Sequence, residues 1–353
     1  MLSPTVKPLP RRAYLGAELP ADEEAFTPTG TQIAAVAPGG MADRAGVRAG
    51  DTIVTLADLP VRSYAELAAA LRRAGAASSI EIRYARDAAV LVGTADVVPC
   101  PLEELEGIGV GYGELATSGV RLRTIATRVP EPRAVILALP DLACESIEAE
   151  SPIAELAHGW ARAGFDTLRF DRRGVGDSEG GPCGVLDLTT ELSDAAAALG
   201  LARARAREID VPLVAFGHGV GGLVAASLAG EHHVHGLITF GTPASRWPQS
   251  AGSGSGRSAA YHAQLDALDI AALWSQVRAP VLVLRGEHDW LVPADDQARI
   301  ATLVAGTASV LDLPGLDHLL GWHADRDSSQ RDYGAGRFDA AIVRATVEWI
   351  DRL

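Results

Sequence analysis

The chain is short of cysteine, short of cations and without any long apolar run. Its three cysteines, Cys100, Cys144 and Cys183, are odd in number and show no C-x-x-C spacing. That pattern predicts free thiols in a reducing compartment and no disulfide framework. No apolar stretch is long enough to span a bilayer, and Met1-Leu2-Ser3-Pro4-Thr5-Val6-Lys7-Pro8 lacks an apolar signal core. The expected location is therefore the cytoplasm. Lys and Arg number 31 against 45 Asp and Glu, a net charge of -14, which argues against a nucleic-acid footprint and against an anionic membrane surface. Apolar residues make up 48% of the 353, enough for full cores, and at roughly 150 residues per domain two domains are expected. The Ala, Arg and Gly richness matches a high-GC bacterial composition.

Residues 1–10 are proline-rich and read as disordered. The sequence then runs through Tyr14-Leu15-Gly16-Ala17, the turn and helix Pro38-Gly39-Gly40-Met41-Ala42-Asp43-Arg44-Ala45-Gly46-Val47, and Gly50-Asp51-Thr52-Ile53. A helix follows, with Ser63 as N-cap and Glu66 three residues on as a capping box. Leu67, Ala70 and Leu71 share its inner face and Gly75 ends it. Ile80, Ile82 and Tyr84 alternate as a half-buried strand. Over residues 11–100 this succession resembles bacterial PDZ domains, small α+β modules. The resemblance implies a groove between the second helix and the strand after Tyr14-Leu15-Gly16-Ala17, where a peptide adds as a strand. The backbone N–H groups of that loop would hold the peptide's terminal carboxylate. Either the groove takes a partner's C-terminus, or the chain fills it and it docks the two domains.

Residues 101–113 are acidic and then carry glycine at alternate positions from Gly107 to Gly113. Without a G-K-S/T ending or a following helix they are no phosphate loop. They read as a flexible linker or the irregular start of a strand.

From 114 to 353, strand and helix patterns alternate, which predicts an α/β domain with a mainly parallel sheet covered on both faces. Strands are expected at Arg121–Val129, Ala134–Leu139, Thr167–Phe170, Pro212–Ala215, Gly236–Phe240, Val281–Leu284 and Val310–Leu313. Ser151-Pro152 opens a helix whose buried face carries Ile153, Leu156, Ala157 and Trp160. Asp171-Arg172-Arg173-Gly174-Val175-Gly176-Asp177-Ser178 is a loop without the helix a dinucleotide site needs. Residues 243–279 carry Trp247, a Gly/Ser stretch from Ala251 to Ser258 expected to be mobile, and a helical segment from Leu265 to Val277.

The informative stretch is Phe216-Gly217-His218-Gly219-Val220-Gly221-Gly222, between an apolar strand and an apolar helix. It resembles the G-x-S-x-G nucleophile elbow of α/β-hydrolases, with Gly217 and Gly221 in place and Gly219 where the serine belongs. The D-x-R-G-x-G-x-S loop and the run from Glu148 to Gly180 are similar to the serine-aminopeptidase-like, exosortase-associated branch of that superfamily. By the same resemblance, Asp289 in Gly286-Glu287-His288-Asp289 is the triad acid and His318 in Pro314-Gly315-Leu316-Asp317-His318 the triad base. The resemblance also implies Val220 N–H as one oxyanion donor and residues 243–279 as a short cap. The family's usual His-Gly after the strand ending at Leu139 is replaced by Pro140-Asp141.

Three readings stay open. One is a hydrolase of esters, thioesters or amides in which an Asp–His pair activates water or a substrate proton, using space left by the missing serine. The second is an inactive pseudo-hydrolase that binds a ligand or peptide and scaffolds through its PDZ domain. The third is a serine hydrolase with an introduced Ser-to-Gly change. Gly219→Ser is expected to create activity on activated esters if the remaining site is intact. Cys144 is a candidate displaced nucleophile or a packed small residue, and His218 a polar support. Glu231-His232-His233-Val234-His235 lacks a completing ligand pattern, so neither a metal nor a cofactor is expected. His323 and Asp325 are expected in solvent.

Overall fold

The structure is a computed structural model. It describes residues 8–20, 25–148, 151–245 and 256–353. The tip Met1–Lys7, Trp247 and the first part of the Gly/Ser stretch, Ala251–Ser255, lie outside the described residues. The chain divides into two compact units, one of Met1–Leu102 with Gly174–Glu179, the other of Glu103–Arg173 with Gly180–Leu353.

The first unit holds an antiparallel sheet in the order Phe26–Thr27, Gly30–Gln32, Thr52–Leu56, Ser79–Arg86, Ala89–Asp96, with Leu59–Pro60 paired to Thr52–Leu56. Ala17–Glu18 pairs with Ala35–Val36. Ile53, Leu56, Ile82 and Tyr84 are buried beneath the helix Tyr64–Ala74, which contributes Leu67 and Ala70. Ser63 caps that helix by accepting from Glu66 N–H at 3.2 Å. The other half of the expected capping box does not form, because the Glu66 carboxylate turns to Arg62 N–H at 2.7 Å. The loop Tyr14–Ala17 is stitched to the helix Met41–Arg44: Met41 and Ala42 N–H donate to the Tyr14 and Leu15 carbonyls at 3.4 and 2.9 Å. Gly16, at φ +67°, lets these backbones pass, since a Cβ there would stand 2.7 Å from Gly40 Cα.

The second unit is built on one eight-stranded sheet. Its strands are β1 Gly109–Thr117, β2 Val120–Arg128, β3 Val135–Leu139, β4 Asp166–Phe170, β5 Leu213–His218, β6 Gly236–Phe240, β7 Val281–Gly286 and β8 Ala308–Leu313. The order is β1-β2-β4-β3-β5-β6-β7-β8. β2 runs antiparallel to both β1 and β4, and every other pairing is parallel. β3, β4, β5, β6 and β7 are buried along their whole length, as strands covered on both faces must be. Leu137, Leu223 and Val283 lie in the core on one side of the sheet, and Trp160, Phe216 and Phe240 in the core on the other.

Of the two readings of residues 101–113, a flexible linker or the start of a strand, residues 109–113 take the second, as the first half of the edge strand β1. Glycine at alternate positions empties one face of the strand, while Val110 and Tyr112 on the other pack onto the core. At Gly113 the empty face is needed, because a Cβ would meet Thr124 Oγ1 at 2.8 Å. The helix Pro152–Arg162 starts where its signals stand: Ser151 accepts from Ala154 N–H at 3.1 Å and Pro152 takes the first turn. Its Trp160 lies edge-on to Phe216, 5.1 Å between ring centroids. The expected cap helix is two helices, Ala259–Asp266 and Ile270–Ser275, divided where Asp269 caps the second by accepting from Ala272 N–H.

Parallel strands carry their loops to one edge. β3 delivers Pro140-Asp141, β5 delivers Gly219, β7 delivers Asp289 and β8 delivers His318 to the carboxyl edge of the sheet.

Candidate active site

The turn from β5 into the helix Val220–Glu231 is made at Gly219, φ +52° and ψ -120°. It is tight because helix and strand pass almost in contact. A Cβ on Gly217 would lie 2.3 Å from Gly221 O, and one on Gly221 2.4 Å from Pro140 O. Those two glycines serve close approach, as their places in the motif imply.

His318 and Asp289 are fully buried. His318 Nδ1 and Asp289 Oδ2 lie 2.9 Å apart. Asp289 Oδ1 accepts from Leu291 N–H at 2.9 Å and Val292 N–H at 3.0 Å, so the carboxylate is fixed on both oxygens. His218 Nε2 donates to the His318 carbonyl at 2.7 Å. A carbonyl only accepts, which fixes the proton of His218 on Nε2. His218 thus supports the loop of His318.

The space beside His318 Nε2, expected to be vacant, is filled by the carboxylate of Asp141. Asp141 Oδ1 accepts from Val220 N–H at 2.7 Å, and Oδ2 lies 3.4 Å from His318 Nε2. A Cβ on Gly219 would come within 2.1 Å of Asp141 Oδ1. The carboxylate therefore stands where a side chain at the elbow would begin, and takes up the expected oxyanion donor. Nothing in the sequence reading brought Asp141 to this site. The available signal was its place directly after β3, where the usual His-Gly is absent.

The loop that bears Asp141 is held from several sides. Arg172 donates to the carbonyls of Pro140 at 2.9 Å and Ala143 at 3.1 Å and also pairs with Glu191. Arg257 donates to Leu142 O at 2.8 Å and to Glu191 at 2.8 Å. Asp171 accepts from Ile147 N–H at 2.9 Å. Arg172 stands at the variable position of the D-x-R-G-x-G-x-S motif, whose own arginine is Arg173, and it grips this loop. Cys144 is joined to Cys183 by a disulfide, Cα atoms 5.8 Å apart. Both the expectation of no disulfide and that of Cys144 as a displaced nucleophile are overturned, because a disulfide sulfur has no thiolate to offer. The residues are 39 apart in sequence, a separation from which no pairing is legible. Cys100 is free. Disulfides are rare in cytosolic proteins, so the bond also removes the cysteine argument for a reducing compartment.

Burial alone would drive the proton off His318, yet the charges of Asp289 and Asp141 and the hydrogen bonds to both raise its pKa to about 10. For Asp141 burial works the other way, but the bond to His318, the nearby imidazoles and Val220 N–H hold it at about 2. Asp289 is likewise held below the ordinary carboxylate value, against its burial, chiefly by the charge of His318. Burial pulls His218 down to about 4, which leaves it neutral. The resting site is thus an imidazolium between two carboxylates, not the neutral base that water activation requires.

A cavity of about 650 Å³ opens on this site, lined among others by Asp141, Ser146, Ile153, His218, Leu319 and Phe338. Among the described residues, Asp141, His218 and His318 bring one potential metal-ligand atom each within 4.8 Å of the others. A cation there would have to displace the proton of His318. His235 accepts from Leu213 N–H at 3.0 Å, away from this group. Of the pair expected in solvent, only Asp325 is exposed, as a helix N-cap. His323 is buried against Asp317 at 3.1 Å, because the loop after His318 folds back on itself. Tyr14, Leu15, Gly16 and Ala17 lie in the first unit.

Strand order, elbow and the Asp289–His318 pair define an α/β-hydrolase fold, and the first unit is a PDZ domain. Residues 130–255 match the serine aminopeptidase S33 family and residues 32–86 the PDZ domain family. The structure is similar to Est1E from Butyrivibrio proteoclasticus with ferulic acid bound, at 17% identity and TM-score 0.54, covering 68% of this chain and 98% of that one. It is similar to DcsB in complex with its substrate analogue, at 18% identity and TM-score 0.53, covering 69% and 99%. It is also similar to the α/β hydrolase GrgF from Penicillium sp. sh18, at 15% identity and TM-score 0.52, covering 69% and 98%. At these identities the likeness is one of fold. No curated protein matches the chain. Among the described residues no helix is long and apolar enough to cross a membrane.

Proposed function

We propose that the second unit hydrolyses an acyl compound, an ester, thioester or amide, held in the cavity at the carboxyl edge of the sheet. His318, oriented by Asp289, moves the protons. The observation that carries this reading is the buried 2.9 Å Nδ1–Oδ2 contact, which leaves His318 Nε2 facing the Asp141 carboxylate that accepts from Val220 N–H. A structural histidine would need no such alignment. Turnover of a panel of activated esters, acyl thioesters and anilides tests it. His318→Ala and Asp289→Asn should each lower kcat/KM by about 10³–10⁴-fold. Equal turnover by wild type and both variants sinks the reading.

One observation favours a second reading, a binding protein without turnover. Asp141 holds Val220 N–H and His318 much as a carboxylate product would, and so occupies the site. A silent panel combined with retained small-molecule binding in the cavity supports it. The reading of Gly219 as an introduced change would require the Asp141 carboxylate to move aside in the serine form, because a Cβ at 219 meets it at 2.1 Å.

For the PDZ domain we propose capture of a free C-terminus by the loop Tyr14-Leu15-Gly16-Ala17, supported by that loop's attachment to the helix Met41–Arg44. A peptide ending in an apolar residue should bind, and its amidated form should bind at least tenfold more weakly. Equal binding of both by calorimetry would mean that no carboxylate is read.

A further inference from the structure

We propose that Asp141 is the nucleophile that the elbow lacks, and that the acyl donors it accepts are thioesters. The proposal rests on the hydrolase reading and assigns the residue that reading leaves open. The first argument is placement: the Asp141 carboxylate sits where an elbow side chain would begin, within reach of His318 Nε2 on one oxygen and Val220 N–H on the other. The second is construction. The side chain is only 14% exposed, and its loop is gripped through Pro140 O, Leu142 O and Ala143 O by two arginines and tied by the Cys144–Cys183 bond. A surface aspartate needs none of this. The third is access, since Asp141 lines the cavity.

Leaving-group chemistry selects the substrate. A carboxylate that attacks an acyl carbon makes a tetrahedral intermediate, which expels the less basic group. Against an alkoxide or an amide nitrogen, the carboxylate itself leaves and nothing is gained. A thiol ionises near about 8.5, far below an alcohol or an amine, so its basicity is the smallest for the His318 proton to offset and the thiol can leave as that proton is transferred. In the first step an oxygen of Asp141 bonds to the acyl carbon, the carbon–sulfur bond breaks, and the proton of His318 goes to sulfur. The products are an anhydride on Asp141, a free thiol and neutral His318. Anhydride formation removes the charge of Asp141 from beside His318, which lets the imidazole stay neutral and serve as base. In the second step His318 takes a proton from water as the water oxygen bonds to an anhydride carbonyl. The anhydride bond breaks, Asp141 returns as carboxylate, the acid product ionises and its proton passes to solvent. The sum is one thioester and one water giving one carboxylate, one thiol and one proton. The groups facing His318 throughout are Asp289, Asp141 and His218, with the Asp317–His323 pair behind its loop.

The experiment uses the full chain and S-acyl-N-acetylcysteamine thioesters of graded acyl length, with hydroxylamine present during turnover. Wild type should accumulate a hydroxamate at Asp141, found by peptide mass, and should cleave thioesters in preference to the matching oxygen esters. Asp141→Asn, close to isosteric, should lose both the adduct and about 10³-fold in kcat/KM, with its fold checked by circular dichroism. His318-dependent thioester cleavage that survives Asp141→Asn without an Asp141 adduct overturns the proposal and leaves the hydrolase reading intact. Cleavage of oxygen esters alone also overturns it. Silence on every thioester overturns it as well, and silence across the whole acyl panel removes the hydrolase reading too.

Discussion

Gly219→Ser alone should remain unlabelled by a fluorophosphonate, whereas Gly219→Ser combined with Asp141→Ala should be labelled at the new serine. The sequence suggests otherwise, because a restored G-x-S-x-G beside an intact Asp–His pair looks sufficient. The difference comes from 2.1 Å, the distance from a Cβ at position 219 to Asp141 Oδ1. The single variant must expel a carboxylate from Val220 N–H and from an imidazolium in order to admit a methylene and a hydroxyl. It also places a side chain at φ +52°, which costs about 1–3 kcal/mol, and overpacking adds about 1–3 kcal/mol more. Its melting temperature should therefore fall clearly below wild type. Removing the carboxylate in the double variant frees Val220 N–H for an oxyanion and His318 Nε2 for the serine hydroxyl. Labelling of the single variant as strong as that of the double would show that Asp141 gives way freely, and would undo its assignment as a fixed part of the site.

Alkaline pH should destabilise this fold more than its composition suggests, and Asp141→Asn should bring the loss to lower pH. The sign follows from His318. Its pKa is raised from 6.5 to about 10 in the folded chain, so the native state keeps a proton that the unfolded state gives up. The stabilisation is whole below 6.5, shrinks as pH climbs, and is gone once pH passes about 10. At roughly 1.4 kcal/mol per unit the effect is on the order of a few kcal/mol. Without the charge of Asp141, His318 would release its proton earlier. The reaction proposed for Asp141 shares the upper limit, because its first step draws on the same proton. Activity should hold across neutral pH and fall toward pH 10, the reverse of what a neutral general base would give. Thermal melts and kcat/KM from about pH 6 to about pH 10 measure both, and a melting temperature indifferent to pH in wild type would mean that His318 rests neutral.

The fold was legible because its parts announce themselves locally. Val281–Leu284 is apolar without a break, as a strand buried on both faces must be, and Ser151-Pro152 carries a helix start in two residues. Asp289 and His318 were legible from their motifs and their order, and the structure places them 2.9 Å apart. The place of Asp141 at the elbow was not legible, because it depends on an absence far along the chain, at position 219. An aspartate after a strand acquires meaning only when residue 219 has no side chain. The Cys144–Cys183 bond was hidden for a similar reason, since partners in loops are chosen by the fold and carry no spacing rule. Gly109–Gly113 stayed open between two readings because a strand with one empty face looks like a flexible tether until its neighbour supplies Thr124.

The Cys144–Cys183 bond means that the manner of preparation decides which protein reaches the assay. Chain made in a reducing cytosol, or stored with a thiol reagent, presents Asp141 on a loop gripped by Arg172, Arg257 and Asp171 without a covalent tie. Chain secreted through an oxidising compartment carries the same loop with its far end tied. Two preparations of one sequence can then differ in measured activity, and the thiol content of the buffer becomes a variable to be controlled.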